Sequence, residues 1–221
     1  MIDIEASNTY SSAVLYLNDV FDLLNKEFFE SALSQPTITI QSTPKALGHF
    51  TTDDIWDSSS GKTHEVNIGA GTLGRPIADV VTTLLHEMVH YFNHIHSVQD
   101  CSRSGTYHNK AFKKAAEEHG LVVKKAGNRG WAYTSPGERV LDFVARNNLT
   151  DIQLNRMEAG GSRSTGPAML IGADTPPETP KSSTRKYVCP SCGNSVRATK
   201  TVNIACIDCN RQMIAAVKTA K

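Results

Sequence analysis

The segment that decides the fold is residues 80–92, which read VVTTLLHEMVHYF. Its centre is the run from His86 through Glu87 to His90, an H-E-x-x-H motif. Residues four apart lie on one face of an α-helix, so both imidazoles are expected to point at one place. Two such nitrogen ligands suit a tetrahedral Zn²⁺ ion that keeps a position open for water. Glu87 follows the first ligand, where its carboxylate can accept a proton from a water molecule that the metal activates.

The same motif also fits a histidine pair that has only a structural role. The flanking residues are apolar, namely Val80, Val81, Leu84, Leu85, Met88 and Val89. This pattern predicts a buried helix. A buried cluster of two histidines and a glutamate would be costly without a metal or polar partners. The flanks therefore favour a metal site.

The composition predicts a water-soluble protein with one medium domain and a small module. The chain has 221 residues, of which 39% are hydrophobic and 20% are charged. No stretch approaches the roughly 18 apolar residues that a membrane span needs. Residues 1–5 are acidic in character and have no apolar region, so we expect no secretory signal and a cytoplasmic location.

Charge is distributed unevenly along the chain. Residues 181–221 contain eight lysines and arginines against a single acid, Asp208, although the whole chain has a net charge of +1. A basic segment of this kind favours nucleic acid or another polyanion as a partner. A merely solvated basic surface is the alternative on charge alone.

Periodicity and turn residues predict an α+β domain around the motif. Apolar residues at helical spacing predict a helix over residues 11–29, and alternation predicts strands over 37–41, 47–51 and 64–68. The motif helix is expected to have Pro76 in its first turn and to end near Asn93, before a polar loop. Two shorter helices are predicted, one over residues 109–119 and one that a capping box at residues 135–138 opens.

Composition changes after the motif domain. Residues 158–184 are rich in glycine, proline, serine and threonine and cannot bury a core, which predicts a flexible linker. The predicted organisation is therefore a domain over residues 1–157, a linker over 158–184 and a small zinc ribbon over 185–221.

Four cysteines in the last segment have the spacing of a structural zinc site. They form two C-x-x-C pairs, Cys189 with Cys192 and Cys206 with Cys209. Four thiolates hold Zn²⁺ tetrahedrally, and a segment too short for a hydrophobic core takes its stability from the metal. A pair of disulfides is the alternative, which a reducing compartment disfavours. Cys101 is left over and is predicted to be an ordinary thiol.

The sequence leaves the third ligand of the first metal open among three possibilities. His96 lies six residues after His90, which is the metzincin spacing, with Asn93 where glycine is expected. His108 lies in the later block GTYHNKAF, residues 105–112. Glu117 or Glu118 would give a gluzincin-like arrangement.

The motif, the later block and the terminal cysteines together resemble the SprT-like zinc metalloproteases, the Spartan-related family. The resemblance rests on LLHEMVH at residues 84–90, on Asp100, on GTYHNKAF at 105–112, and on a ribbon that opens with YVCP at 187–190. It covers most of the chain apart from the linker, and it is closest to a compact bacterial or phage type with a C-terminal zinc ribbon.

The resemblance implies a fold, a ligand set and a class of substrate. By position it assigns His86, His90 and His108 to the catalytic zinc and the role of general base to Glu87. It implies a zincin-like fold, with a small mixed sheet packed on the motif helix. Better-known members of the family cleave proteins that are crosslinked to DNA, and they need DNA for activity.

The ribbon is expected to bind DNA mainly through phosphate contacts. The candidate residues are Lys186, Arg197, Lys200 and Arg211. Aromatic side chains are scarce there, so little base specificity is expected. Two alternatives stay open, namely a zinc protease whose ribbon is a docking module without a DNA role, and a non-catalytic DNA-binding regulator.

Overall fold

The computed structural model describes residues 8–42, 46–59, 61–157 and 185–216. These residues belong to two units, one before and one after the predicted linker. The linker at 158–184 lies outside the described residues, so the domain boundaries at 1–157 and 185–221 stay predictions. No helix in the described part of the chain has the length and apolar character that crossing a bilayer requires.

The first unit combines helices with short strands. Its helices are α1 (Tyr10–Phe28), α2 (Ile77–Ile95), α3 (Lys110–Glu118) and α4 (Glu138–Arg146). Its strands, in chain order, are β1 (Thr37–Gln41), β2 (Gly48–Phe50), β3 (Trp56–Ser58), β4 (Gly61–Thr63), β5 (Glu65–Gly69), β6 (Cys101–Ser102), β7 (Tyr107–His108), β8 (Leu121–Lys124) and β9 (Tyr133–Pro136). The α+β class predicted from the sequence is confirmed.

The largest sheet of this unit is mixed and has the order β1-β5-β2. The central strand β5 pairs parallel with β1 and antiparallel with β2. All five residues of β5 are buried, as a central strand covered on both faces requires. The predicted strands at 37–41, 47–51 and 64–68 correspond to these three strands within one or two residues.

Helix α2 packs against this sheet and lies at the centre of the unit. It contacts β2 and β5 on one side and the other three helices and β9 around it. Its apolar side chains Val80, Leu84, Leu85, Met88 and Val89 are fully buried. Because α2 is held from several sides, the residues of its motif have fixed positions.

Three hairpins complete the unit, and none was predicted as a hairpin. They are β3–β4, β6–β7 and β8–β9, each antiparallel. The predicted polar loop after α2 contains β6, whose Cys101 pairs with His108 of β7. Two-residue strands of this kind leave almost no alternation for a sequence pattern to show.

The predicted capping box at residues 135–138 is wrong. Ser135 lies in β9, where it pairs with Val122. Helix α4 begins at Glu138, with Gly137 at the N-cap and no side-chain cap bond. A Cβ atom at Gly137 would lie 2.3 Å from the carbonyl oxygen of Gly120. Close approach of two backbone segments, not a capping side chain, therefore sets this helix start.

The second unit is small and built from short strands. They are β10 (Arg185–Val188), β11 (Ser195–Ala198), β12 (Ala205–Cys206), β13 (Arg211–Gln212) and β14 (Ile214–Ala215). Strand β10 pairs antiparallel with both β11 and β14, and β12 pairs with β13. Its buried core consists of Tyr187 and Met213 with Cys189 and Cys206. Such a core is too small to hold a fold by itself.

A buried amide on β5 predicts a stability change. Asn67 is fully buried, and its Oδ1 accepts hydrogen bonds from Gln41 N at 2.7 Å and from Thr39 Oγ1 at 3.1 Å. Asn67→Leu keeps the branching and number of side-chain heavy atoms but removes this acceptor, and we expect the free energy of unfolding to fall by about 1–3 kcal/mol for each unpaired group. Urea denaturation measures it, and the exposed Asn128→Leu is the control. Equal stability of the two variants would contradict the role of this amide.

Candidate metal centres

Three histidine side chains converge in the first unit. The Nε2 atoms of His86 and His90 are 3.2 Å apart, and those of His108 lie 3.2 Å from His86 and 3.1 Å from His90. His86 and His90 lie one turn apart on α2, and His108 ends the short strand β7. Two separate parts of the chain therefore bring three ring nitrogens to one point.

The triangle of nitrogens fits a tetrahedral zinc ion. Zn–N bonds of about 2.0–2.1 Å place neighbouring ligand nitrogens about 3.3 Å apart, close to the observed spacing. Without a cation, one proton can serve only one pair of these nitrogens at a time. The remaining lone pairs would face one another in a half-buried site, which is unfavourable.

Phe112 of α3 lies beneath all three rings. Its ring centroid is 4.6 Å from the ring centroids of His86, His90 and His108 alike. Phe112 is fully buried. One rigid aromatic side chain thus limits how each imidazole can rotate, and it keeps the site dry on that side.

Hydrogen bonds at the far nitrogens orient two of the rings. His90 Nδ1 donates to Asp100 Oδ2 at 2.7 Å, and Asn93 Nδ2 donates to the same oxygen at 3.0 Å. His86 Nδ1 hydrogen-bonds with Thr134 Oγ1 of β9 at 3.0 Å. A proton on Nδ1 leaves the Nε2 lone pair free for a metal, so Asp100, a carboxylate that only accepts, selects this tautomer of His90. The Thr134 hydroxyl can accept from His86 Nδ1 and so is compatible with the same tautomer there.

Glycine is required where the chain passes His108. Gly130 has a φ of +69°, in the left-handed region. A Cβ atom there would lie 2.2 Å from the carbonyl oxygen of His108. The next residue, Trp131, donates its backbone N–H to that same oxygen at 3.0 Å. The backbone of His108 is therefore held from both neighbours in space, β6 on one side and residues 130–131 on the other.

Burial disfavours the protonated forms of His86 and His108. It lowers the pKa of His86 well below the ordinary value, and the charges of His90 and His108 add to the effect. Burial and the neighbouring His90 lower the pKa of His108 to about 4. A neutral imidazole is the form that binds a metal, so the lowered pKa values of His86 and His108 favour a ligand role for these two rings.

Glu87 lies beside the histidines on the side of the sheet. Burial raises the pKa of Glu87 to about 7, while the nearby His90 and a hydrogen bond from the Phe50 backbone act in the opposite direction. A Cβ atom at Gly48 would lie 3.2 Å from Glu87 Oε1. The carboxylate therefore lies against strand β2, with a proton affinity suited to a general base.

Asp100 and Cys101 differ in their protonation. Burial alone would raise the pKa of Asp100, but hydrogen bonds from His90 and Asn93 and the charge of His90 hold it below its ordinary value. Burial and the charge of Asp100 raise the pKa of Cys101 to about 12. Asp100 is thus a carboxylate that supports His90, and Cys101 stays a protonated thiol.

The other candidates for the third ligand lie elsewhere. His96 caps the C-terminus of α2, is exposed, and donates from Nδ1 to Phe92 O at 2.7 Å. Glu117 and Glu118 are exposed on α3 and pair with lysines one turn earlier. None of these three belongs to the histidine cluster that the structure describes.

The second unit brings its four cysteines together. The sulfur atoms of Cys189, Cys192, Cys206 and Cys209 all lie within 4.8 Å of one another, and the cysteines are free thiols rather than disulfides. Cys192 Sγ and Cys206 Sγ are 3.7 Å apart. Zn–S bonds of about 2.3 Å in a tetrahedron give a sulfur spacing of about 3.8 Å, so the cluster fits zinc.

The first cysteine knuckle is preorganised by its backbone. Gly193 has a φ of +77° and donates its N–H to Cys189 O at 3.0 Å, which closes the turn. Hydrogen bonds from the backbone of Cys192 and Ser191 lower the pKa of the Cys189 thiol to about 7. Backbone N–H groups aimed at sulfur stabilise the thiolate, the form that binds a metal.

The candidate DNA-binding residues are exposed in the second unit. Lys186 on β10 and Arg197 on β11 are directly opposite each other in the register of the pair. Arg211 lies on β13 opposite Cys206, and Lys200 follows β11. The structure therefore brings two of the four candidates together as a cross-strand pair.

Some residues that support the histidines carried little signal in the sequence. Phe112 was visible only as one apolar position of a helix, although it contacts all three imidazoles. Thr134 and Gly130 belong to or flank the β8–β9 hairpin, which the sequence did not predict. Their partners are distant in the chain, so only a predicted strand pairing could have found them.

Comparison with known proteins supports a family assignment. A sequence model described as the SprT-like family matches residues 17–128, which is half of the chain. The matched range contains His86, Glu87, His90 and His108. No curated protein and no solved structure matches the chain.

The Asp100–His90 hydrogen bond predicts a change in metal affinity. Asp100→Asn keeps the shape but weakens the charge-assisted bond to His90 Nδ1, and loss of such a partner typically costs about 10–100-fold in metal affinity. Competition with a chelating dye should show this loss for one zinc equivalent only. The exposed Asp142→Asn on α4 is the matched control. Equal zinc affinity of the two variants would contradict the role of Asp100.

The cysteine cluster predicts a fold that depends on metal. Chelation should collapse the NMR signals of residues 185–216 to random-coil positions, because Tyr187 and Met213 are the only buried apolar side chains there besides cysteines. Cys206→Ser should show the same collapse even with added zinc, and Cys101→Ser should behave like the parent chain. Dispersed ribbon signals in metal-free Cys206→Ser protein would refute this dependence.

Proposed function

The chain belongs to the SprT-like family, and from that premise we propose that it is a zinc-dependent metalloendopeptidase that acts on DNA-bound or DNA-crosslinked proteins. The observation that carries the proposal is the convergence of His86, His90 and His108 beside the buried carboxylate of Glu87. We include in the proposal a zincin-like arrangement of the catalytic unit, with the mixed sheet on α2, and a structural zinc in the ribbon.

The three histidines have the role of ligands in this proposal. Bound there, zinc supplies an electrophile that polarises a peptide carbonyl and makes a water molecule more acidic. The imidazoles bind through Nε2, since Asp100 and Thr134 occupy Nδ1 of His90 and His86. Phe112 excludes water from the far side of the rings.

Glu87 moves the protons. Its carboxylate accepts a proton from the attacking water and then delivers it to the nitrogen of the leaving amine. Burial raises the proton affinity of this carboxylate, which favours acceptance of the proton from water. The bond that breaks is the peptide C–N bond, and water supplies the oxygen and both protons.

Strand β2 offers a place for the substrate backbone. One edge of β2 pairs with β5, and no strand of the described residues pairs with its other edge. Gly48 on this strand lies against Glu87. An extended peptide that adds to the free edge would be held mainly through backbone hydrogen bonds, which tolerates varied substrate sequences.

The ribbon supplies the proposed DNA contact. Lys186 and Arg197 face each other across β10 and β11, and like charges directly opposite destabilise a strand pair. A bound phosphate would relieve this repulsion. Lys200 and Arg211 add further positive charge for contacts that do not depend on sequence. A reducing cytoplasmic location keeps the four thiols available for zinc and is part of the proposal.

A second candidate is a zinc protease whose ribbon docks onto protein. The observation that favours it is Ile207, which is 93% exposed between the two cysteines of the second knuckle. In this candidate, Ile207 supplies an apolar contact to the protein partner. A non-catalytic DNA-binding regulator is a further alternative, and the intact Glu87 disfavours it.

The decisive experiment is cleavage of a basic DNA-binding protein by the zinc-loaded chain, with and without single-stranded DNA. Glu87→Gln should reduce cleavage by roughly 10²- to 10⁴-fold, the usual contribution of a general base, while zinc content stays unchanged. The exposed Glu138→Gln on α4 is the matched control and should cleave like the parent.

The outcomes separate the candidates. Cleavage that requires both DNA and Glu87 supports the proposed function. Cleavage that requires Glu87 but ignores DNA favours the docking ribbon instead. A zinc-loaded chain that binds DNA and cleaves nothing in any condition favours the non-catalytic regulator.

A further inference from the structure

Positive charge also concentrates within the first unit. Residues 1–100 carry thirteen acids against four lysines and arginines, whereas residues 101–157 carry ten lysines and arginines against five acids. The second half of the unit includes α3 and the β8–β9 hairpin. The catalytic unit therefore has a basic part of its own, separate in sequence from the ribbon.

These basic residues surround an exposed part of one tryptophan. An open pocket of about 520 Å³ is lined by Lys110, Lys113, Lys114, Glu117, Glu118 and Trp131. We call these residues, together with Lys125, the Trp131 surface. It is formed by one face of α3 and by the loop between β8 and β9.

Two lysines from different elements approach the same indole ring. The Nζ atom of Lys113 lies 4.8 Å from the ring centroid of Trp131, and that of Lys125 lies 5.1 Å from it. Both ammonium groups lie over the indole ring in cation–π contacts. At an exposed site such a contact is worth only about 0.5–1 kcal/mol, so a stacking base can displace a lysine from the ring face. The arrangement combines positive charge with a flat apolar face.

The carboxylates of the Trp131 surface do not cancel its charge. Glu117 pairs with Lys113 at 3.3 Å and Glu118 with Lys114 at 3.7 Å. Both are solvent-exposed pairs one helical turn apart, which contribute little to stability and are easily exchanged. A phosphate can therefore compete for these lysines, and Lys110 and Lys125 are exposed as well.

We propose that the Trp131 surface binds single-stranded nucleic acid. Proteins that bind single strands combine positive side chains, which contact the phosphates, with an aromatic ring on which a base stacks. The Trp131 surface offers both. A double strand keeps its bases stacked inside and offers no base to Trp131. An acidic peptide would use the lysines but would leave the ring without a partner.

The Trp131 surface is connected directly to the histidine cluster. The backbone N–H of Trp131 donates to the backbone oxygen of His108 at 3.0 Å. The same hairpin contains Thr134, whose hydroxyl contacts His86. Contacts that steady Trp131 also steady the backbone of His108. Binding of a strand at the Trp131 surface does not rest on the proposed function, because it requires no catalytic step.

The test measures binding of a fluorescent oligo(dT) to the zinc-loaded full chain. Lys113→Ala with Lys125→Ala should weaken binding and lower the slope of log K against log salt by roughly 1.4, about 0.7 for each lost phosphate contact. The matched control removes two exposed lysines elsewhere, Lys26→Ala with Lys62→Ala, and should keep the parent slope.

Tryptophan fluorescence reports the stacking itself, since the chain has two tryptophans, Trp56 and Trp131. Oligo(dT) should quench the emission of Trp56→Phe protein and leave that of Trp131→Phe protein unchanged. Trp131→Ala should weaken binding by at least roughly fivefold, the lower limit for base stacking on an aromatic ring. Far-UV circular dichroism confirms that each variant is folded.

Several results would overturn the inference. One is that the ribbon double variant, Lys186→Ala with Arg197→Ala, weakens oligo(dT) binding while the Trp131-surface variants do not. Another is that oligo(dT) still quenches the fluorescence of Trp131→Phe protein. The inference also fails if the chain binds poly-glutamate as tightly as oligo(dT), or if the parent chain does not bind oligo(dT) at all. Cleavage without DNA is assayed separately on the same samples. Loss of cleavage with intact oligo(dT) binding would refute the proposed function while leaving this binding surface in place.

Discussion

The structure depends on one constraint, which is that three imidazole nitrogens must face one another at little more than 3 Å. Such an arrangement repels unless a cation lies among the nitrogens. Each neighbouring element contributes something that holds it, since α2 spaces two of the rings, β6 pairs with the strand of the third, and α3 places Phe112 beneath all of them. The close approach of the three nitrogens is unfavourable by itself. The surrounding elements hold the rings in place, so that they form a ligand set before a metal binds.

The two sides of α2 have different chemical tasks. Most of the helix is buried in apolar contacts, yet consecutive positions of its motif face different surroundings. His86 points toward α3 and the β8–β9 hairpin, while Glu87 points toward β2. The Glu87 carboxylate and the histidine rings are therefore close in space, but separate parts of the fold support them. A change in the sheet can alter the carboxylate without moving the histidines.

The sequence predicted the parts of the fold that have long periodic patterns. Helix α1, strand β1, helix α2 and helix α3 were located within one or two residues, because apolar spacing over many positions leaves few alternatives. The hairpins were missed, since β6 and β7 have two residues each and β8–β9 is recognised only by its pairing. The capping box was wrong because Ser135 was already engaged in β9.

The same division applies to the candidate site. His86, Glu87 and His90 were evident from spacing alone, but spacing left His96, His108 and the glutamates of α3 open as the third ligand. Only the resemblance favoured His108. The structure brings His108 to the cluster through β-pairing, which no local pattern shows. Residues that act through other residues, such as Thr134 and Gly130, left no sequence signal.

The separation of the ligands along the chain has a further consequence. His90 and His108 are 18 residues apart, and they come from a helix and a strand that do not otherwise share a local hydrogen-bonding pattern. An ion held by both would act as a cross-link that closes this loop. For a covalent cross-link, closing a loop of this length restricts the unfolded chain by about 3 kcal/mol. A bound metal would then also make local unfolding of the segment between His90 and His108 less frequent. The resistance of the chain to proteolysis between α2 and α3 would therefore report how much of the protein has metal bound.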